Sequence, residues 1–419
     1  MAIKVNGVNK LSCVITIGTF NENSVFFMDA KYVFTECVDV EVNDSYETLI
    51  NTAKITMTRD VKLSLIKKDD SGYKENMVLT NNEFKSMFKK NDRVRIELGY
   101  DDNNKLMFDG FITTVEAKSP FVLHCEDWGH ILKNRVVQPS EVVIGSNGTD
   151  VNTLLESILE NTNIGLHSIT KKMNLHMPIK KLKDPINLSE MLEFWKSDLK
   201  ILIFIKTVNG RPYLAMSRTY FSENTDETLI SGNVSNVDIV DFSENVPMNG
   251  DKLKFTYLDY DTLALEATSI DNKNNKIRFT LVINPEFFGK DAAKGIVSDE
   301  FLVKNITHIS KKQNKLGKYD MESRFDLTHH NIRTFHEYNV SYDKLLTDAK
   351  SAFKKISQTG ISGSLTVFGD FGLKSATMVR LSSKRNPERN GVFVISTVKT
   401  KFGTSGYRQT IQIPYKRSN

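Results

Sequence analysis

The sequence predicts an α+β chain that is mainly β: two similar small β-barrels with α/β and helical insertions. Three observations predict it. Short runs with apolar residues at every second position recur along most of the chain, and only a few stretches change to the helical period. The last fifty residues, Thr366 to Tyr415, end in an alternating hairpin. That hairpin has an echo near the front: Val94-Arg95-Ile96 followed by Ile112-Thr113-Thr114-Val115 matches Val379-Arg380-Leu381 followed by Ile395-Ser396-Thr397-Val398. A glycine, Gly110 or Gly391, precedes the second strand in both copies.

Taken in order, residues 1–35 alternate weakly and carry Phe20, Phe26, Phe27, Tyr32 and Phe34, which suits an edge hairpin or an arm on a partner. Residues 36–135 form the first β-barrel domain. Val38, Val40 and Val42 alternate, Asn43 and Asp44 break the run, and Ala53, Ile55 and Met57 alternate again. Val94, Ile96, Leu98 and Tyr100 then face one way, with Arg93, Arg95 and Glu97 facing the other. Asp101 to Asn104 supplies a turn, Leu106 to Val115 a return strand and Phe121 to Asp127 a last one.

Residues 136–233 change period and read as an α/β insertion domain. Val151, Leu154, Leu155, Ile158 and Leu159 make an amphipathic stripe after Thr149-Asp150, stopped at Asn161 to Gly165. A second helix starts at Asn187, with Glu190 placed for a capping box, and buries Leu188, Met191, Leu192, Trp195 and Leu199. Trp195 lies on the apolar stripe and is read as core. Two strands, Ile201 to Lys206 and Pro212 to Met216, join through Asn209-Gly210.

Alternation returns in residues 234–284, the first part of the second β-barrel domain, at Leu253 to Tyr257, Leu263 to Ala267 and Ile277 to Leu281. Asp271 to Asn275 makes the turn between the last two. Residues 285–360 are an irregular and helical insertion. Its helix is capped by Ser341, turns Tyr342, Leu345, Leu346, Ala349, Phe353 and Ile356 inward, and stops at Gly360. Residues 361–419 supply the closing strands: Val394, Ser396, Val398, Thr400 and Phe402 on one side, a turn at Gly403 to Gly406, then Tyr407, Gln409, Ile411 and Ile413.

A chain of 419 residues, 40% hydrophobic, exceeds one core and buries enough apolar surface to fold without staples. Three cysteines, Cys13, Cys37 and Cys125, have no metal-like spacing and imply no disulfide framework, so a reducing, cytoplasmic place of assembly is expected. No run approaches the roughly 18 apolar residues of a spanning helix, and no stable membrane insertion is expected. The net charge of +5 comes from 56 basic and 51 acidic residues that are interspersed, which is not the concentrated basic patch of a nucleic-acid binder. The lysines at Lys171-Lys172 and Lys180-Lys181-Lys183 lack interleaved aromatics and read as solvated faces.

The common catalytic signatures are missing: there is no phosphate loop, dinucleotide fingerprint, nucleophile elbow or HExxH. Gly360, Gly363, Gly369 and Gly372 follow a helix and precede a strand, the reverse of phosphate-loop order, and read as turns. His329-His330 with His336, Asp326 and Glu337 is the nearest metal-like cluster, but adjacent histidines in a strand point to opposite faces. Glu126-Asp127 beside Trp128 has the composition of a glycosidase pair, yet adjacent carboxylates in a strand also diverge. The expectation is no enzyme, no metal and no cofactor.

Several stretches taken in order resemble a known group. These are Asn91 to Tyr100, Phe108-Asp109-Gly110-Phe111-Ile112, His124-Cys125-Glu126-Asp127, Ala349-Lys350, Thr359 to Gly363, Pro387 to Val394 and Gly406 to Ile411. Together they resemble the baseplate hub proteins of contractile injection systems, the phage late control protein D and VgrG-like family. The resemblance implies a structural homotrimer with two tube-type barrels per subunit. Such a trimer adapts a sixfold tail tube to a threefold spike and lines a channel through which DNA or effectors pass. VgrG proteins continue into a spike and this sequence ends at Asn419, so the resemblance implies a separate trimeric spike protein as partner, with the tail tube protein and other baseplate proteins. The implied location is a virion tail or injection-system baseplate, assembled in the bacterial cytoplasm. Val94, Ile96, Leu98, Tyr100, Val394, Val398, Phe402, Tyr407, Arg408 and Ile411 are the expected assembly-interface residues, on strands read as edges that association covers. The alternatives are a receptor- or glycan-binding tail-tip protein and, behind it, a peptidoglycan hydrolase.

Overall fold

The computed structural model describes residues 10–20, 29–58, 63–65, 87–142, 149–173, 176–177, 183–199, 201–208, 210–218, 235–238, 252–256, 263–271, 275–283, 301–309, 317–318, 331–338, 340–356, 360–369, 372–383, 386–414 and 416–418. The fold is mainly β. Its largest sheet has twelve strands in the order Lys254–Thr256, Gly360–Phe368, Gly406–Ile413, Thr397–Gly403, Asp39–Ser45, Thr52–Met57, Phe121–Asp127, Asn103–Glu116, Arg93–Tyr100, Leu11–Thr19, Asp29–Phe34 and Leu63–Leu65. Among the described residues no sheet closes on itself, and strands from both expected barrel regions share one continuous twelve-stranded sheet that joins both ends of the chain.

The join is an antiparallel pairing of Thr397–Gly403 with Asp39–Ser45, in register from Thr397 opposite Ser45 to Gly403 opposite Asp39. Backbone amides and carbonyls carry these bonds, so nothing in the side-chain alternation announces them. The front strands wrap a core that includes Ile15, Ile17, Val40, Ile55, Ile96, Leu98 and Leu123, as their alternation predicts. Asp39–Ser45 runs through Asn43 and Asp44, where a break was expected. At Asp101-Asp102 both residues take positive φ (51° and 64°), the two-residue turn that matches strand twist. The hairpin of residues 11–34 does not stand off as an arm: Leu11–Thr19 pairs along Arg93–Tyr100, and Ile15, Ile17 and Phe34 are fully buried. Phe26 and Phe27 lie outside the described residues.

The closing strands form a smaller core of two facing sheets. Gly360–Phe368, Gly406–Ile413 and Thr397–Gly403 face Ser235–Asp238, Met378–Ser382, Gly391–Val394 and Lys416–Ser418, and Leu365, Val379, Leu381, Phe393, Val398 and Ile411 fill the space between. Gly360 begins a strand, while the preceding helix ends at Ile356. Gln409 sits fully buried on the apolar side. Its amide donates to the Leu373 carbonyl at 2.9 Å and accepts from the Leu373 amide at 3.0 Å, which explains how a polar side chain is tolerated there.

The sequence echo corresponds to two antiparallel pairs. Val94 lies opposite Gly110 in one and Leu381 opposite Gly391 in the other. In the first copy the second strand runs unbroken over 14 residues. In the second it stops at Val394, passes Ile395-Ser396 and resumes at Thr397 in the opposite sheet. At Gly110 a Cβ would stand 2.2 Å from the Glu126 carbonyl oxygen, so the close approach of two strands requires glycine there.

Two α-containing regions complete the described chain. Helices Val151–Leu159 and Leu188–Leu199 pack on strands Ile201–Val208 and Arg211–Arg218, burying the stripe of the first and Leu188, Met191, Leu192 and Trp195 of the second. Thr162 caps the first helix by donating to the Leu159 carbonyl at 2.7 Å. The side chain of Leu199, and those of Lys172, Lys180 and Lys181, lie outside what is described; Lys171 pairs with Glu156. In the middle, helix Tyr342–Ile356 packs Leu345, Ala349 and Phe353 on a five-stranded sheet ordered Gly317–Lys318, Phe301–Ile309, Lys276–Ile283, Leu263–Ile270 and Asn331–Tyr338. This corrects the grouping of Leu263 to Leu281 with the closing strands: period-2 alternation identifies a strand but not its partner. Among the described residues no helix is long and apolar enough to cross a membrane.

Candidate functional site

Of the ten expected interface residues, eight face the chain's own interior. Val94, Ile96, Leu98, Val394, Val398, Phe402, Tyr407 and Ile411 are each at most 4% exposed. Nor are their strands edges: Arg93–Tyr100 pairs with Leu11–Thr19 and Asn103–Glu116, and Thr397–Gly403 pairs with Asp39–Ser45 and Gly406–Ile413. Only Tyr100 and Arg408 retain surface. Tyr100 stacks near Tyr407 at 5.7 Å, and the Arg408 guanidinium lies 4.1 Å over the exposed ring of Phe368.

The richest chemistry lies instead where the first sheet, the α/β region and the closing strands meet. Arg93, assigned by alternation to the solvent side, is 2% exposed and makes a two-pronged ion pair with Asp109, at 2.9 and 2.7 Å. Its guanidinium covers the buried indole of Trp128 at 4.9 Å. From the first sheet, Asp44 accepts from both the amide (2.8 Å) and the hydroxyl (2.7 Å) of Ser375, 331 positions away. Tyr46, Phe204, Ala215, Ala376 and Val394 form a small apolar cluster that spans the same three parts. A cavity of about 130 Å³ remains between them, lined by Asp44, Asp109, Asp127, Trp128, Lys206 and Lys374 among others.

Burial sets the charge states here. It pushes the Asp127 carboxyl up to about 7, against the opposing bonds from the Gly129 and Asn51 amides. It lowers Lys206 to about 8, and it lowers Lys374 against the pull of Asp44 and Asp109. His167 falls to about 4 through burial and the nearby Lys206 charge. For Asp127 the folded value lies above the unfolded one, so the folded state holds the extra proton between about pH 4 and 7. Stability should therefore fall by about 1 kcal/mol per pH unit as pH rises through that window. Asp127→Asn keeps an acceptor for the Gly129 amide; it should flatten the profile and stabilise the chain at pH 8 by about 3 kcal/mol, checked by urea unfolding at a series of pH values.

The carboxylates Glu126 and Asp127 diverge. Glu126 turns outward to His130 at 2.8 Å and Lys133 at 2.9 Å, while Asp127 turns inward to the Gly129 amide at 2.9 Å. They do not flank a common point, so this pair is not arranged as a glycosidase acid and base. His329, His330 and Asp326 lie outside the described residues, and among those described no group of histidine, cysteine and carboxylate side chains gathers as a metal site. Sequence reasoning missed the Arg93–Asp109–Trp128 stack; three such residues on neighbouring strands were a signal only once the register was known.

No family model matches the chain, and no curated protein matches it significantly. Solved structures do. The tail protein from Neisseria meningitidis MC58 superposes with a TM-score of 0.51 at 9% identity, covering 97% of this chain and 96% of that one. The chain shares the overall fold of that protein. The 43 kDa tail protein of prophage MuSo2 from Shewanella oneidensis is similar at 10% identity, with TM-score 0.46 and coverage of 96% and 98%. A chain of the Francisella PdpA-VgrG complex is similar over 99% of this chain and 59% of its own, at 10% identity and TM-score 0.45. Beside the backbone pairing of Thr397–Gly403 with Asp39–Ser45, the Asp44–Ser375 bonds add a side-chain link between the two ends of the sequence.

Proposed function

We propose that the chain is a structural hub subunit of a phage tail or related contractile injection system. It acts as a homotrimer that adapts a sixfold tail tube to a threefold spike and lines the delivery channel. The end-to-end likeness to the Neisseria tail protein carries this reading. The pairing of its two related β units supports it: three subunits with two units each present six similar units, while true symmetry stays threefold. The tail tube protein, a separate trimeric spike and other baseplate proteins are the partners, and the bacterial cytoplasm is the place of assembly.

In this reading Tyr100 and Arg408, with Phe368, contribute to the contacts between subunits or with the tube. The eight buried residues of the expected interface act indirectly, by holding the strands in shape. Light scattering and particle averaging of the purified chain, alone and mixed with a candidate tail tube protein, test the proposal. A trimeric ring with pseudo-sixfold outline that binds the tube is expected. A monomer that binds neither tube nor spike protein at assembly concentrations would overturn it.

A further inference from the structure

Two of the three cysteines meet. Cys13, on the strand Leu11–Thr19, is 5% exposed, and its thiol donates to the Thr35 carbonyl at 3.3 Å. Cys37, in the link between the strands Asp29–Phe34 and Asp39–Ser45, is half-buried, and its sulfur lies 3.7 Å from that of Cys13. The antiparallel register Ile15 opposite Phe34, continued two places, brings Cys13 beside Glu36 and so next to Cys37. The two chain segments thus run side by side, and the sulfurs have to approach from 3.7 Å to the about 2.05 Å of an S–S bond. Cys125 is buried in Phe121–Asp127, which two intervening strands separate from Leu11–Thr19 in the sheet.

We propose that Cys13 and Cys37 are a reversible thiol pair that a low-molecular-weight disulfide oxidises to an intramolecular link, pinning the N-terminal strand to the body of the first sheet. The Cys37 thiolate, on the accessible side, attacks a sulfur of R–S–S–R, forming Cys37–S–S–R and releasing RS⁻. The Cys13 thiolate then attacks the Cys37 sulfur, forms the Cys13–Cys37 bond and expels the second RS⁻. The two protons shed by the protein thiols pass to the two RS⁻ ions, so one disulfide is reduced to two thiols as the pair is oxidised. The hydrogen bond between the two thiols hinders loss of the Cys37 proton, so the first attack is slow and quickens as pH rises; that bond is gone once Cys37 carries the –SR group.

The full chain, folded and without denaturant, is incubated with oxidised glutathione, and its unreduced peptides are mapped by mass spectrometry. A Cys13–Cys37 linked peptide pair lighter by two hydrogens, reversed by a thiol reductant and unchanged in Cys125→Ser, is expected. Cys13→Ser should instead trap a stable glutathione adduct on Cys37. Recovery of wild-type protein with glutathione retained on Cys37 and Cys13 still free, or with both thiols unmodified while oxidised glutathione remains, would overturn the proposal. Because the readout is a linkage in the wild-type chain, it does not depend on any variant folding.

Discussion

Ile411→Asp is expected to abolish the folded chain. Ile411 is fully buried, its strand pairs with Leu365 on one side and Val398 on the other, and its side chain packs in the core with Val379 and Phe393. Truncating such a side chain costs about 2–5 kcal/mol before any charge is considered. A carboxyl in that core adds several kcal/mol, whether it stays ionised or takes up a proton. The sum is comparable with the about 5–15 kcal/mol that holds a typical domain together. Soluble yield and urea unfolding followed by circular dichroism provide the measurement. Lys399→Asp, at an exposed position of the same hairpin, should shift the midpoint little and serves as the control. An Ile411→Asp chain with a wild-type midpoint would remove this strand from the core.

Arg93→Ala should cost about 3–5 kcal/mol, the usual effect of leaving a buried charge without its partner. Asp109 is then left with a side chain only 7% exposed, and Trp128 loses the cation over its ring. A solvent-facing arginine, which is what simple alternation assigns to position 93, would cost less than about 1 kcal/mol. The difference separates the two placements. The double substitution Arg93→Met with Asp109→Leu should recover much of the loss, because the expense lies in the orphaned charge. Urea midpoints for the two single variants and the double variant form the test, and additive losses across them would show that the pair does not interact.

Much of the local structure is legible in the residues themselves. Val40 and Val42, Ala53, Ile55 and Met57, and Val94, Ile96 and Leu98 alternate because a strand buried on one face must alternate, and all of them are buried. The stripes of Val151 to Leu159 and Tyr342 to Phe353 follow the helical period for the same reason. The paired echo of Val94-Arg95-Ile96 and Val379-Arg380-Leu381 also survives as two antiparallel pairs with a glycine opposite.

What the residues could not reveal is which elements meet. Period 2 states that Leu263 to Leu281 form strands but is silent about their companions, so only the structure assigns them to the middle helix instead of the closing hairpin. Arg93 and Asp109 lie sixteen positions apart and become one buried pair only through the register of two strands. Asp44 and Ser375, and the hairpin laid along Asp39–Ser45, meet across more than three hundred residues. Local patterning follows from each residue's own need to leave or face water, which its neighbours in sequence already reveal. Long-range pairing follows from sequence-blind backbone hydrogen bonds and from how separate cores fit together, and that is decided only when the whole chain is folded.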